Sequence, residues 1–106
     1  MSYEVSKQAL MDKLGFNEED LIMLFSVFIK SSKDNLERFR IAIEDDDYNT
    51  IYICSHSLKG SSGNLMLDDV YALSREVETA SKDGIKIDYK SYYDKLNFIF
   101  NDMILK

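Results

Sequence analysis

Apolar residues recur at helical spacing along most of the chain. Between residues 21 and 43 they return every three or four positions, at Leu21, Leu24, Phe25, Phe28, Leu36, Phe39 and Ile43. Asn17 precedes three acidic residues and is typical of an N-cap, because its side-chain oxygen can accept a free backbone N–H. No glycine or proline interrupts residues 18–47. The pattern predicts one long helix with a bend near Ser31-Ser32, and we expect Asp45-Asp46-Asp47 to close this helix and to cap the next one.

Four further segments show the same period, and turn or capping residues separate them. No segment alternates between apolar and polar residues with period two. Short connections favour antiparallel neighbours. We therefore expect an all-α fold, an antiparallel four-helix bundle with a short extra N-terminal helix, in a single domain over residues 1–106. The other predicted helices are a short one that contains Val5 and ends at Gly15, one over residues 48–64, one from Asp68 to Gly84, and one that Asp88 caps and that carries Met103.

Composition fits a soluble globular protein and excludes several classes. Hydrophobic residues make up 45% of the chain, and the net charge of -6 disfavours nucleic acid and anionic membranes as partners. The longest apolar run, over residues 21–29, is shorter than the about 20 residues that span a bilayer. The N-terminus lacks the pattern of a signal peptide. A single cysteine cannot form an internal disulfide, which favours a cytoplasmic location.

The stretch SHSLKGSSGN, residues 55–64, holds the only histidine of the chain. On a helical wheel His56 points about 160° away from the middle of the predicted buried side. That side carries Ile51, Cys54, Ser55, Leu58, Ser61, Ser62 and Leu65. We expect His56 and Lys59 to be the chemically active residues of the outer face. The partner-docking residues predicted around them are Asn49, Tyr52, Ile53, Ser57, Gly60 and Gly63.

Glycine and charge set this outer face apart. A glycine inside a helix costs about 1 kcal/mol relative to alanine, so two of them beside His56 suggest cleared room for a partner. In the alternative interpretation, Gly63 only signals the helix end and Gly60 has no purpose. No acidic residue occurs between Asp47 and Asp68, and Lys59 is the one full charge there. We expect an acid-free surface that could accept an added dianion.

His56, Lys59, Gly60 and Gly63 within SHSLKGSSGNL resemble the signature of the histidine-containing phosphotransfer (HPt) domain, which reads roughly small-His-x-Leu-Lys-Gly-Ser-x-x-x-Leu. The resemblance covers nearly the whole chain and extends downstream to the Val77-Glu78 pair. It implies a four-helix bundle with an exposed histidine. It also implies that His56 is the phosphoacceptor of a phosphorelay, that Lys59 stabilises the phosphoryl charge, and that the glycines keep the docking face open.

The resemblance also implies the partners. They are response-regulator receiver domains and a hybrid sensor histidine kinase, and the protein itself is a monomer. Mg²⁺ would be bound by the receiver, so no cofactor and no metal are expected here. The protein would be a phosphorelay intermediate without autokinase activity rather than a turnover enzyme. One departure is Met66-Leu67, where the family usually has Gly-Ala or similar residues.

Other readings of these residues are weaker. A metal site lacks a second histidine, and Cys54 falls on the buried side. Ser-His-acid catalysis lacks an acid placed to orient the ring, and the pattern of a phosphate-binding P-loop is absent. A kinase dimerisation helix usually has an acidic residue after its histidine, where this chain has Ser57. The alternative from another class is a helical interaction module that binds a receiver or kinase scaffold without transferring phosphate.

Overall fold

Five helices and one pair of short strands make up the computed structural model, which describes residues 2–106. None of the helices in this range is long and apolar enough to cross a bilayer. Most of the described residues are helical, so the predicted helical fold is confirmed. The elements in chain order are β1 (Tyr3–Val5), α1 (Lys7–Leu14), α2 (Glu18–Glu44), α3 (Tyr48–Asn64), α4 (Asp68–Lys82), α5 (Tyr89–Asn101) and β2 (Met103–Leu105).

Polar side chains fix most of the helix starts. The side chains of the predicted N-caps Asn17, Asp47 and Asp88 each accept a hydrogen bond from a backbone N–H three residues further on, so all three are confirmed. The predicted bounds of α3 are also confirmed. Helix α2 ends at Glu44 with Asp45 as its C-cap, as predicted from the three aspartates, and Asp46 then turns into the left-handed region at φ 49°.

The helices surround one apolar core. Helix α2 packs against α3 and α5, α4 packs against the same two helices, and α1 covers part of α2. Aromatic rings meet inside, where the ring centroids of Phe28 and Phe100 lie 5.6 Å apart. This ring of contacts holds α3 between α2 and α4. The core side chains with the least exposure include Leu10, Leu21, Phe39, Ile51, Cys54, Leu58, Val70, Val77 and Leu96.

A parallel strand pair corrects the expectation of helices alone. Strand β1 pairs with β2 in the register Tyr3 to Met103, so Val5 and Met103 lie in strands and not in the helices predicted for them. Both side chains are buried. The pairing continues past the strands, because the backbone N–H of Lys106 donates to Val5. Local periodicity could not reveal a pairing between the two ends of the chain.

Three buried serines of α3 and α4 form hydrogen bonds within their own helix, whereas the buried hydroxyl of Ser74 on α4 has no partner among the described residues. The Ser55 hydroxyl donates to the carbonyl of Tyr52 at 3.0 Å, and the Ser62 hydroxyl donates to that of Lys59 at 3.1 Å. In α4, the Ser81 hydroxyl donates to the carbonyl of Val77 at 2.7 Å. These small residues satisfy their polar groups locally. They thus let α3 and α4 lie close together without leaving these hydroxyls unpaired.

Met66 is strained at the turn between α3 and α4. Its φ of 58° lies in the left-handed region, which costs a residue with a side chain about 1–2 kcal/mol and which glycine adopts freely. The residue is 39% exposed, so most of its surface is covered, and alanine at this position is the reference that separates the lost burial from the backbone strain. Replacing Met66 therefore tests how much free energy this backbone conformation costs.

We expect the free energy of unfolding of Met66→Gly to exceed that of Met66→Ala by about 1 kcal/mol, because both variants lose the side chain and only glycine relieves the strain. Urea titration followed by circular dichroism measures it. Asp46→Gly is the matched control at the other left-handed position, φ 49°, and should gain less because aspartate tolerates this region. An equal gain in Asp46→Gly, or no gain of Met66→Gly over Met66→Ala, would contradict the assignment of strain to Met66.

Candidate functional site

A carboxylate from α4 joins the two predicted active residues. His56 lies in the middle of α3 with its side chain 63% exposed, and its Nδ1 is 2.7 Å from Oε2 of Glu78. The Lys59 ammonium donates to Oε1 of the same carboxylate, also at 2.7 Å. Only 13% of the Glu78 side chain is exposed. The site is therefore built from three side chains on two helices.

The expectation of a surface without an acid that could orient the ring is wrong. The stretch between Asp47 and Asp68 lacks acids along the chain, but α4 runs beside α3 and brings Glu78 to His56 from 22 residues away. The nearest sequence signal was the Val77-Glu78 pair, which belonged to the resemblance but received no role. A helical wheel of one segment cannot show what the neighbouring helix contributes.

The charges of this cluster depend on one another. Burial raises the pKa of the Glu78 carboxyl, but the hydrogen bonds from Lys59 and His56 outweigh it and hold the pKa below its usual range. The hydrogen bond to Glu78 raises the pKa of Lys59. At neutral pH the cluster therefore holds a carboxylate and an ammonium ion side by side. The imidazole is the third member, and it faces solvent.

The contact with Glu78 determines which ring nitrogen of His56 is available. A carboxylate only accepts hydrogen bonds, so Nδ1 must carry the proton that it donates to Oε2. In a neutral imidazole the other nitrogen, Nε2, then keeps its lone pair. The cluster presents an exposed imidazole in a defined tautomer, which is the form required of a nitrogen nucleophile.

The other predicted docking residues differ in their exposure and in the side chains that they contact. Ile53 is 44% exposed, and Asn49 and Gly60 are also exposed. Tyr52 is partly buried, and its ring stacks on the imidazole with a centroid distance of 5.8 Å. Ser57 is exposed but lies towards α2, where its hydroxyl accepts a hydrogen bond from Asn35.

The two glycines have different surroundings. A Cβ on Gly60 would meet no atom within 4 Å, so nothing inside the protein requires glycine there. A Cβ on Gly63 would lie 3.3 Å from the ring of Tyr71 on α4. Gly63 therefore makes room for a neighbouring helix, which neither interpretation of the sequence had considered. No contact among the described residues explains why position 60 lacks a side chain.

A groove beside the site escaped the sequence analysis. It lies between α2 and α3, has a volume of about 350 Å³, and is lined by Phe16, Leu24, Val27, Ser61 and Asn64 among others. Val27 is 61% exposed, and the neighbouring Met23 is 65% exposed. Helical spacing assigned Leu24 to the core, but its side chain is 38% exposed. The outer face of α3 thus continues into an apolar surface on α2.

Comparison with known proteins agrees with this geometry. Residues 23–91, or 69 of the 106 residues, match the family described as Hpt domain. The matched range runs from α2 into the first turn of α5 and contains His56, Lys59 and Glu78. No curated protein and no solved structure matches the chain significantly. The assignment of the chain to a family therefore rests on the match over residues 23–91.

Alanine at the two glycines should separate their roles. We expect Gly60→Ala to raise the free energy of unfolding by about 1 kcal/mol, because a helix gains from alanine and the added methyl group meets open space. Gly63→Ala should gain less or lose stability, because its methyl group presses on Tyr71. Urea titrations of both variants measure the difference. Equal gains would show that Tyr71 yields without cost.

The pKa of Glu78 predicts how stability depends on pH. Because the folded pKa of Glu78 lies below the ordinary glutamate pKa of 4.5, the stabilisation is present above pH 4.5 and is lost as the pH falls through the folded pKa. Glu78→Gln lacks this titration, so wild type should be the more stable protein at pH 7. The difference between the two proteins in free energy of unfolding should narrow as the pH falls from 7 to below the folded pKa of Glu78. A gap independent of pH would contradict the predicted ion pairs.

Proposed function

Because this chain belongs to the Hpt domain family, we propose that it is a histidine phosphotransfer protein of a two-component phosphorelay. His56 would carry the phosphoryl group between the aspartates of receiver domains. The observation that carries the proposal is the exposed imidazole whose Nδ1–H is held by Glu78, since this arrangement leaves Nε2 as the free nucleophile. The proposed architecture is an antiparallel four-helix bundle, with α1 and the strand pair added at its end.

The proposed reaction is a direct displacement at phosphorus. The Nε2 lone pair attacks the aspartyl phosphate of a receiver, the Nε2–P bond forms, and the P–O bond breaks as the aspartate carboxylate leaves. Positive charge develops on the imidazole, and the carboxylate of Glu78 stabilises it through Nδ1–H. Attack by the aspartate of a second receiver reverses these steps. Mg²⁺ belongs to the receivers in this proposal.

Lys59 would stabilise the negative charge of the transferring group. Its ammonium lies on the same carboxylate as His56, so Glu78 fixes the cation close to the imidazole. An ammonium donates up to three hydrogen bonds, and the one to Glu78 leaves others for a phosphoryl oxygen. Glu78 thus positions both the nucleophile and the cation.

The outer face of α3 and the apolar surface of α2 would form the docking area. Gly60 leaves space above the helix, and the exposed side chains of Met23 and Val27 supply an apolar contact beside it. A receiver must bring its aspartate to Nε2, which requires backbone and small residues around His56. The donor in this proposal is a hybrid sensor histidine kinase, and the protein acts as a cytoplasmic monomer.

The test is phosphoryl transfer from a phosphorylated receiver domain, followed by intact-mass spectrometry at alkaline pH. We expect one acid-labile phosphate on the wild-type protein and none on His56→Gln, whose circular dichroism should be unchanged because the side chain is exposed. Lys59→Ala should accept phosphate about 10-fold more slowly, as expected for the loss of one charged hydrogen bond in the transition state. Lys90→Ala on α5 is the matched control and should transfer at the wild-type rate.

Two outcomes would contradict the proposal. Phosphate on the His56→Gln variant would place the acceptor elsewhere. Binding of several receivers without any phosphate on the wild-type protein would instead favour the helical interaction module that binds a receiver or kinase scaffold. An unchanged rate for Lys59→Ala would remove Lys59 from the mechanism while leaving His56 in place.

A further inference from the structure

We propose that Tyr52 is a positioning residue for phosphoryl transfer, and that its aromatic ring holds the imidazole of His56 and stabilises the charge that develops there. The inference rests on the proposed function, because it assigns a role in the reaction at His56. Tyr52 precedes His56 by one helical turn, so the two side chains meet on the same face of α3. The rings stack with a centroid distance of 5.8 Å and an angle of 27° between their planes.

Two contacts from different elements restrain the imidazole. Glu78 reaches the ring edge at Nδ1 from α4, and Tyr52 covers a ring face from the same helix. A side chain that is 63% exposed would otherwise lose its rotational freedom only at the moment of reaction. With both contacts in place, the direction of the Nε2 lone pair is set before a phosphoryl donor arrives.

The stack also acts on charge. When Nε2 forms its bond to phosphorus, the lone pair is shared and the imidazole becomes more positive. A cation within about 6 Å of an aromatic centroid is attracted by the negative face of the ring, and the stacked geometry places the imidazole at that distance. This attraction grows along the reaction, so it lowers the barrier and not only the energy of the resting state.

The role of Tyr52 in docking can be separated from its role in positioning by the size of the donor. Phosphoramidate is a small donor that can transfer its phosphoryl group to an imidazole nitrogen; the P–N bond breaks and ammonia leaves. Phosphoramidate has no protein surface and therefore does not depend on the docking area. A residue that only helps a receiver to dock would leave the rate with phosphoramidate unchanged, whereas a positioning residue affects both donors.

The experiment compares wild type, Tyr52→Leu and Tyr52→Phe, with phosphoramidate and with a phosphorylated receiver as donors. We expect Tyr52→Leu to be phosphorylated two- to fivefold more slowly by either donor, the loss expected for a cation–π contact of about this exposure. Tyr52→Phe keeps the ring and should retain the wild-type rate within twofold. Tyr48→Leu is the matched control, since Tyr48 is on the same helix but packs on Tyr89.

Nuclear magnetic resonance tests whether the two rings are stacked in solution. His56 is the only histidine, so the imidazole signals need no assignment by mutation. The Tyr52 ring should shift the His56 carbon-bound ring protons by its ring current, and Tyr52→Leu should abolish that shift while Tyr52→Phe and Tyr48→Leu keep it. Unchanged circular dichroism in all variants establishes that the helix itself is intact.

Two outcomes would overturn the inference: a wild-type rate with phosphoramidate for Tyr52→Leu, whether or not the rate with the receiver falls, or an equal loss in Tyr52→Phe. The last result would transfer the effect to the hydroxyl group. Phosphoramidate needs no receiver. If the proposed relay function is wrong, transfer from receivers fails, but the rates of wild type and Tyr52→Leu with phosphoramidate can still be compared.

Discussion

A carboxylate that is almost buried must be paired, and this constraint links α3 to α4 at the functional site. Glu78 has two oxygens, and each binds one basic group of α3 at 2.7 Å. Removing it from water is costly unless such partners compensate for the lost hydration. The orientation of His56, the position of Lys59 and the close approach of the two helices all depend on this pairing.

The same contacts reconcile two demands on the site. A group that reacts with another protein has to be exposed, yet an exposed side chain usually samples several rotamers. His56 is exposed, while Glu78 contacts the edge of its ring and Tyr52 one face. The imidazole can therefore be reached from solvent and still keep one orientation. Around it, Gly60 leaves the helix surface bare and the serines of the buried side need no partner from outside the helix.

Much of this arrangement could be predicted from local pattern. The caps at Asn17 and Asp47, the extent of α3 and the exposure of His56 follow from spacing and from side-chain chemistry. What could not be predicted comes from residues far apart in sequence. Glu78 reaches the ring from the next helix, Tyr71 explains Gly63, and the strand pair joins the two ends of the chain. A helical wheel describes one helix at a time, so it cannot predict contacts with residues of another element.

The strand pair has a consequence for the order in which the chain folds. Contacts between α3 and α4 close segments of about the 22 residues that separate His56 from Glu78, whereas Lys106 and Glu4 are 102 residues apart. Closing the longer loop from an open chain costs about 1.4 kcal/mol more. Once the helices have packed, most of that distance is already spanned and the strands need only a short approach. We therefore expect the terminal strands to form last and to fray first, whereas the contacts of Glu78 with His56 and Lys59 can form without them.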